Sequence, residues 1–194
     1  MNNLAVKSAM NAITPMDELA WADFEQYLTS HTLKKGELLW KEGDTIKQII
    51  FIHKGAIRYF YYNNPDDKEV TAQFFFENTF LTDYESFTTQ EPTNFNFQAL
   101  EDCEYTAFPR VVLYQMYEKY KYFERLGRLI AEYNFIGQQK GVRDQKNLSP
   151  EAKYLKLIKD RPKVMARIPI NMIASYLAIT PEHLSRIRKK LVSE

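Results

Sequence analysis

The sequence predicts an α+β fold in which an N-terminal antiparallel β-roll of the jelly-roll type precedes a long helix and a C-terminal helix-turn-helix. Short β-rich runs alternate with turn residues between residues 33 and 108, as is typical of an antiparallel sandwich or roll. A helical spacing of apolar residues returns after Pro109. Two short amphipathic segments near the C-terminus then follow each other across a tight turn.

The charge of the chain is distributed unevenly. The formal net charge is +1 over 194 residues, a length that can bury a sizeable core in one large or two small domains. Residues 146–194 hold 11 Lys+Arg and 4 Asp+Glu, whereas residues 1–145 hold 15 and 21. A basic segment on an acidic body indicates a polyanion-binding unit joined to a unit with another task. A basic, solvated helix without a polyanion partner is the alternative.

Several functional classes find no support in the sequence. Cys103 is the single cysteine, which excludes an internal disulfide, a four-cysteine zinc site and an iron–sulfur cluster within one chain, and predicts a structural thiol. The three histidines are scattered, and neither a phosphate-binding glycine loop nor a nucleophile–base pair is present. We therefore expect no metal, no cofactor and no enzymatic activity. An apolar stretch of 18 residues is also missing, so we expect a cytoplasmic protein.

The N-terminal half is predicted to begin with a helix and continue as strands. Thr14 is the predicted cap of the helix, whose apolar stripe is Trp21, Phe24 and Leu28. The runs predicted as strands are 37–40, 49–53, 56–62, 69–76, 94–99 and 104–108. Turn residues at 42–44, 54–55, 63–67 and 90–92 separate them. Residues 80–88 interrupt the pattern and are predicted to form a short helix or a structured loop.

A long helix is predicted after the strands. Apolar or small residues recur there with a 3-4 spacing over about two heptads. They are Phe123, Leu126, Ile130, Tyr133 and Gly137. Such a stripe suits either a helix packed on its own sheet or the seam of a dimer. Leu129, Phe135 and Ile136 lie on other sides of the helix, which makes two packing partners plausible. Ser149 and Pro150 then mark a new helix start and a domain boundary.

Residues 168–191 have the pattern of a helix-turn-helix. Thr180 suits the N-cap and Pro181 the first position of the second helix. The apolar stripe of this helix is Leu184, Ile187 and Leu191, and that of the supporting helix is Ile173, Ala174 and Leu177. Another face repeats Glu182, Ser185, Arg186 and Lys189. These side chains provide the donors, the acceptor and the positive charge that read base edges and phosphates.

These features together resemble one family of bacterial regulators. The turn segments LKKG (33–36), EGD (42–44) and IHKGAIR (52–58), the strand ALEDCE (99–104) and the segment TPEHLSR (180–186) are similar to those of the Crp–Fnr family, relatives of the cyclic-AMP receptor protein. The resemblance covers residues 15–191. It implies a cyclic-nucleotide-binding-type effector domain (1–115), a dimerisation helix (116–148) and a DNA-binding domain (149–194). The family's β-hairpin wing after the last helix is expected to be short or absent, because the sequence stops at Glu194.

The resemblance fails where family members bind cyclic nucleotides. Thr93-Asn94 stand at the positions of the Arg-Ser pair that holds the cyclic phosphate, and Thr82-Asp83 at those of the Gly-Glu pair that holds the ribose. Without a bidentate arginine a buried phosphate loses its main partner, so we expect no cyclic AMP binding. The pocket is then empty, filled by Phe and Tyr, or suited to another ligand. Its predicted lining is Thr82, Asp83, Tyr84, Glu85, Thr93, Asn94, Gln138 and Gln139. A well-bonded turn at 82–86 is the alternative.

The resemblance implies a homodimeric transcription regulator that reads the major groove through helix 181–191. Arg186 would read guanine, and Glu182 would accept from a cytosine amino group. Thr180, Ser185, Arg188, Lys189 and Lys190 would hold phosphates, and His183 lies beside them. Pro181 stands where the family often has arginine. The implied partners are duplex DNA, a second copy of the chain, RNA polymerase and an unknown small-molecule effector, with no membrane. The alternative is a small-molecule- or protein-sensing module of the same fold with weak or no specific DNA binding.

Overall fold

A computed structural model of the chain describes residues 3–63 and 68–193. The helices are α1 (Asn3–Asn11), α2 (Glu18–Glu25), α3 (Tyr84–Thr89), α4 (Arg110–Lys119), α5 (Lys121–Asn147), α6 (Pro150–Asp160), α7 (Pro162–Arg167), α8 (Ile170–Tyr176) and α9 (Pro181–Ser193). The strands are β1 (Thr29–Leu33), β2 (Leu38–Trp40), β3 (Gln48–Lys54), β4 (Ala56–Asn63), β5 (Lys68–Phe76), β6 (Thr79–Leu81), β7 (Asn96–Ala99) and β8 (Cys103–Pro109).

The eight strands form two antiparallel sheets that enclose the core of the roll. One sheet has the order β1-β8-β3-β6 and the other β2-β7-β4-β5. Alternate residues of each strand point inward, so Ile50 and Ile52 of β3 meet Ile57 of β4 and Phe97 of β7 in one buried cluster. The α+β class and the antiparallel roll predicted from the sequence are confirmed.

The predicted strands are present, and two further strands complete the sheets. β1 escaped prediction because the sheet leaves its side chains exposed from Thr29 to Thr32, so no apolar alternation marks it. β6 has only three residues and lies in the segment 80–88, which was predicted as helix or loop. That segment begins in β6 and then forms α3. Most of the turn predicted at 63–67 lies outside the described residues.

The N-terminal helices correct the predicted cap. Asp17, not Thr14, caps α2, since its side chain accepts a hydrogen bond from the Ala20 N–H at 2.7 Å. Thr14 is buried instead, in the turn between the two helices. α1 was not predicted at all. Its residues Val6 and Met10 share a core cluster with Trp21 and Phe24, and this cluster closes one end of the roll.

The long helix α5 corrects the predicted dimer seam. Phe123 is 0% exposed and its ring lies 5.0 Å from that of Phe24, and Leu126 is buried in the same core. These two residues therefore cannot line an interface between chains, and the half-buried Ile130 packs against the same cluster. Tyr133 is 78% exposed, and Gly137 has open space around it. The first two turns of α5 cover the chain's own core, because α4 reverses the chain and lays them against α2.

The C-terminal helices form a core together with the outer face of the roll. Ser149 caps α6 as predicted, accepting from the Ala152 N–H at 3.2 Å. Helices α6 to α9 contribute Leu157, Val164, Ile173, Leu184 and neighbours to one apolar cluster, which also contains Phe74 and Phe76 of β5. The division into 1–115, 116–148 and 149–194 stays a prediction, although α5 and α6 meet near residue 148.

Candidate DNA interface and effector pocket

The turn between α8 and α9 is built by local hydrogen bonds. The Leu177 N–H donates to the Ile173 carbonyl and the Ile179 N–H to the Ala174 carbonyl, and Ala178 turns the chain with a positive φ of 57°. Thr180 then accepts a hydrogen bond from the His183 N–H at 3.2 Å, which is the predicted N-cap of α9. The two helices predicted from residues 170–191 are thus present, with the turn where the pattern placed it.

The two faces of α9 are separated as the sequence predicts. Leu184 and Ile187 are buried and Leu191 is half-buried in the core of the C-terminal helices. This packing turns the opposite face of the helix to solvent. The predicted contacts exposed there are Thr180, Pro181, Glu182, Ser185, Arg186, Arg188, Lys189 and Lys190, whereas His183 is half-buried. The structure therefore brings the predicted DNA-binding residues together on one solvent-exposed surface.

Two acidic residues lie beside the cations of this surface. The pKa of Glu182 is lowered, first by its own backbone N–H and then by the Thr180 hydroxyl, with a contribution from Arg186. Glu182 is therefore an ionised acceptor beside a cation. Glu151 of α6 pairs with Lys190 at 3.0 Å, across a cleft of about 260 Å³ that His183 and Arg186 also line. Lys190, predicted as a phosphate contact, is thus also a bridge between α9 and α6.

The predicted effector pocket has two of its residues bonded to each other. Asp83 caps α3, accepting from the Glu85 N–H at 3.3 Å, and it also accepts from the Thr93 hydroxyl. Both Asp83 and Thr93 are buried. Asp83 and Thr93 are the residues that the resemblance aligns with the ribose-binding and phosphate-binding pairs, and in this structure they are bonded to each other. The alternative of a well-bonded turn at 82–86 describes this segment better than an open site does.

Aromatic side chains occupy the neighbouring interior of the roll. Tyr59 of β4 stacks on Phe95 at a centroid distance of 4.2 Å and contacts Phe97 at 4.7 Å. Burial raises the pKa of Tyr59, and the carboxylates of Asp83 and Glu85 raise it further, which places the phenol close to both. This part of the interior is therefore aromatic, with the buried side chain of Asp83 beside it. Tyr59 and Phe95 were missed as pocket residues, although the inward alternation of β4 from Ile57 could have identified Tyr59.

The other predicted pocket residues do not join this group. Tyr84 is exposed, as are Glu85, Asn94, Gln138 and Gln139, and Thr82 donates its hydroxyl hydrogen bond to the Gln48 carbonyl at 3.1 Å. Arg58, the arginine nearest in sequence to Tyr59, points to the opposite face of the sheet. There it is 3% exposed, lies 2.5 Å from Glu69 and stacks over the Phe60 ring at 3.9 Å. A guanidinium is thus held away from the interior.

The remaining titratable groups give no sign of metal or redox chemistry in the described residues. Within 3–63 and 68–193, no group of three or more His, Cys, Asp or Glu side chains could hold a metal ion, and no helix is long and apolar enough to cross a membrane. Cys103 is buried, and burial raises the pKa of its thiol to about 11. Its predicted role as a structural thiol agrees with its close packing against Gly55. Any side chain at position 55 would place its Cβ 2.5 Å from the Cys103 sulfur.

Comparison with known proteins finds one family model that is similar to the roll. The family model for the cyclic nucleotide-binding domain matches residues 30–120, from β1 to the end of α4. A search of curated protein sequences finds no match. The matched segment lacks, at 82–83 and 93–94, the residue pairs that the resemblance leads us to expect.

Solved structures extend the similarity to most of the chain. FixK2 from Bradyrhizobium japonicum matches with 15% identity and a TM-score of 0.70, covering 86% of this chain and 85% of that one. The c-di-GMP-responsive global regulator CLP from Xanthomonas campestris matches with 14% identity and a TM-score of 0.69, covering 91% and 92%. A putative regulator of the crp/fnr family from Eubacterium rectale matches with 13% identity and a TM-score of 0.70, covering 92% of this chain and 85% of that one. The chain therefore has the Crp–Fnr fold that the sequence predicted.

Proposed function

We propose that this protein is a DNA-binding transcription regulator that reads the major groove through α9. The observation that carries the proposal is the separation of faces on this helix: its apolar stripe is buried while Glu182, Ser185, Arg186 and Lys189 share one exposed surface. The basic C-terminal segment supplies the charge that duplex DNA requires. The fold shared with FixK2 and CLP, over 86% and 91% of this chain, supports it further.

The side chains on the exposed face suit different contacts. Arg186 presents a guanidinium in the middle of the face, and its two parallel donors match the O6 and N7 acceptors of guanine. The ionised Glu182, one turn earlier, can only accept, which matches a cytosine amino group. Lys189 and Arg188, further along the helix, are exposed cations that suit contacts to the phosphate backbone.

The proposed regulator acts as a homodimer through a face of α5 that shares only Tyr133 with the predicted seam. Tyr122, Leu129, Tyr133 and Ile136 follow one another with spacings of seven, four and three residues, and all are at least partly exposed. Tyr133 and Ile136 are 78% and 53% exposed, which is unusual for apolar side chains on a long helix. Pairing this stripe with its copy would bury it and would bring two α9 helices into one assembly.

The effector domain is proposed not to bind cyclic AMP. The Asp83–Thr93 hydrogen bond and the stacked Tyr59 and Phe95 rings support this proposal, because they pack this part of the roll with its own side chains and the nearby carboxylates would repel a phosphate.

Binding to duplex DNA as a function of salt tests the proposal. The apparent association constant for random duplex DNA should fall with salt at a log–log slope of about −0.9 for each phosphate neutralised. Selection from a random-sequence pool at moderate salt should then enrich one inverted repeat. A flat salt response would contradict the proposal and favour a sensing module of the same fold without a DNA target.

A further inference from the structure

The support helix α8 covers a free edge of the roll. β5 is the last strand of its sheet, so one side of its backbone has no neighbouring strand. The Ser175 hydroxyl of α8 lies on this edge, where it accepts from the Thr71 N–H at 3.0 Å and donates to the Glu69 carbonyl at 3.2 Å. A single side chain thus takes the place of the missing strand partner at two backbone groups.

An ionic cluster joins the same two units at the other end of β5. Arg167, the last residue of α7, lies 2.7 Å from Glu77 and 2.5 Å from Glu101, which both belong to the roll. Its two pairs use separate guanidinium nitrogens, so the arginine bridges two loops that lysine could not reach with the same geometry. Lys163 adds a contact to Glu77 at 2.9 Å, and Arg161 donates to the Phe74 carbonyl at 2.5 Å.

Between these polar contacts the interface is apolar. Phe74 and Phe76 of β5 belong to the core of the C-terminal helices, and the Phe74 ring lies 5.6 Å from that of Tyr176 on α8. Phe75, between them on the strand, points the other way and packs towards Tyr59 inside the roll. One face of β5 therefore packs inside the roll, and the other face packs against the helix-turn-helix.

We infer that Arg167 and Ser175 are positioning residues that hold the helix-turn-helix on β5. In this docked arrangement the exposed face of α9 is available for DNA, and the contacts to β5 fix the orientation of α9 relative to the roll. The inference rests on the proposed DNA-binding function, since it explains how two reading helices keep a constant spacing in a dimer. It also makes β5 the element through which a change inside the roll reaches α9.

Amide hydrogen exchange of the Thr71 N–H measures the docking without any DNA. Arg167→Gln removes the cation but keeps an amide of similar reach, and it should accelerate exchange at Thr71 about tenfold or more, the equivalent of one charge-assisted hydrogen bond. Arg128→Gln is the matched control, because Arg128 pairs with Glu132 within α5 at 2.6 Å. This control should leave the Thr71 rate within about twofold of the wild type.

Two further measurements make the exchange result specific. The Arg110 N–H, bonded to the Lys47 carbonyl at 2.8 Å within the roll, should stay protected in all variants, which shows that the roll remains folded. Ser175→Ala should also expose the Thr71 N–H, since it removes the acceptor. An unchanged Thr71 rate in Arg167→Gln or in Ser175→Ala, or an equal acceleration in Arg128→Gln, would overturn the docking.

Operator binding tests the positioning role. Arg167→Gln should weaken binding to the selected inverted repeat about tenfold while changing binding to a single half-site at most about twofold, because only the spacing of two helices is lost. Equal affinity of Arg167→Gln and wild type for the full repeat would overturn the positioning role. Failure of the wild type to bind any duplex would instead contradict the proposed function, and the exchange data would still show whether the unit is docked.

Discussion

At the scale of single residues, the exposed face of α9 assigns different tasks to side chains that carry the same charge. Arg186 stands near the middle of the face, while Lys189 lies one turn further on towards the end of the helix. A planar guanidinium can form two parallel hydrogen bonds to one base edge, whereas an ammonium acts mainly as a point charge. Arginine at 186 therefore suits base reading, and lysine at 189 suits phosphate.

Replacing each of these cations should separate the two tasks. Arg186→Ala should cost about 1–3 kcal/mol of operator binding and relax the preference at one base pair in each half-site. Lys189→Ala should weaken binding to all sequences alike and reduce the salt slope by about 0.9. Binding measured against a panel of single-base operator variants distinguishes these results. Equal, sequence-independent losses from both changes would show that Arg186 contacts only the backbone.

Glu77 should make the docking of the helix-turn-helix sensitive to acid. Burial alone would raise the pKa of Glu77, but hydrogen bonds from Lys163, from its own backbone and from Arg167 outweigh burial and lower the pKa to about 2. A carboxylate with a lowered pKa stabilises the fold above its unfolded pKa, and this stabilisation is lost as the pH falls through the folded pKa.

The matched amide variant measures that stabilisation. Glu77→Gln should lower the free energy of unfolding at pH 7 by about 1–3 kcal/mol, allowing for the partial exposure of the pair. The difference from the wild type should shrink between about pH 5 and pH 2, where the wild-type carboxylate takes up its proton. Glu132→Gln, in an exposed pair within α5, should give less than about 0.5 kcal/mol. A pH-independent difference for Glu77→Gln would contradict the assignment.

At the scale of elements, α5 shows that a helical period of apolar residues does not determine which surface the helix packs against. The stripe from Phe123 to Tyr133 predicted a helix correctly, but the same spacing describes a core contact and a dimer seam. Phe123 and Leu126 take the first role because α2 lies beside them, a partner about 100 residues away in the chain. Strand β1 was missed for a related reason, since exposed strands carry no apolar alternation.

Local signals were more informative than distant ones throughout the chain. The turn and cap of the helix-turn-helix depend on residues within four positions of each other, so Thr180 and the stripe of Leu184 were predictable. The pairing of Asp83 with Thr93 and of Arg167 with Glu101 depends on how loops meet in the folded roll. Sequence reasoning placed Asp83 and Thr93 in one site but could not show that they bond to each other.

The exposed stripe of α5 should control the oligomeric state. Ile136→Asp places a charge within the proposed interface, where it would be buried without a partner, so the variant should be monomeric at micromolar concentration and bind the inverted repeat poorly. Val111→Asp is the control, because Val111 is an equally exposed apolar residue on α4, away from the stripe. Sedimentation equilibrium compares both with the wild type, and a monomeric wild type would contradict the dimer.

At the scale of the whole molecule, the two sides of β5 connect the interior of the roll with the reading helix. Tyr59 and Phe95 stack on the inner side, and the Thr93 hydroxyl donates a hydrogen bond to Asp83. On the outer side of β5, Phe74 and Phe76 pack against the helix-turn-helix. A roll that is packed by its own side chains holds β5, and with it α8, in place without a ligand.

Cyclic nucleotides should therefore leave the molecule unchanged. With a micromolar dissociation constant, 0.1 mM ligand would add about 2.7 kcal/mol to stability and raise the melting temperature by several degrees. We expect a rise of less than about 1 °C with cyclic AMP or cyclic GMP at that concentration, because a phosphate entering the roll meets the Asp83 carboxylate while Arg58 lies on the other face, paired with Glu69. Differential scanning fluorimetry measures the shift, and isothermal titration calorimetry checks it at 25 °C. A clear rise with either nucleotide would show that the Asp83–Thr93 contact opens and that Tyr59 and Phe95 move apart to admit the base.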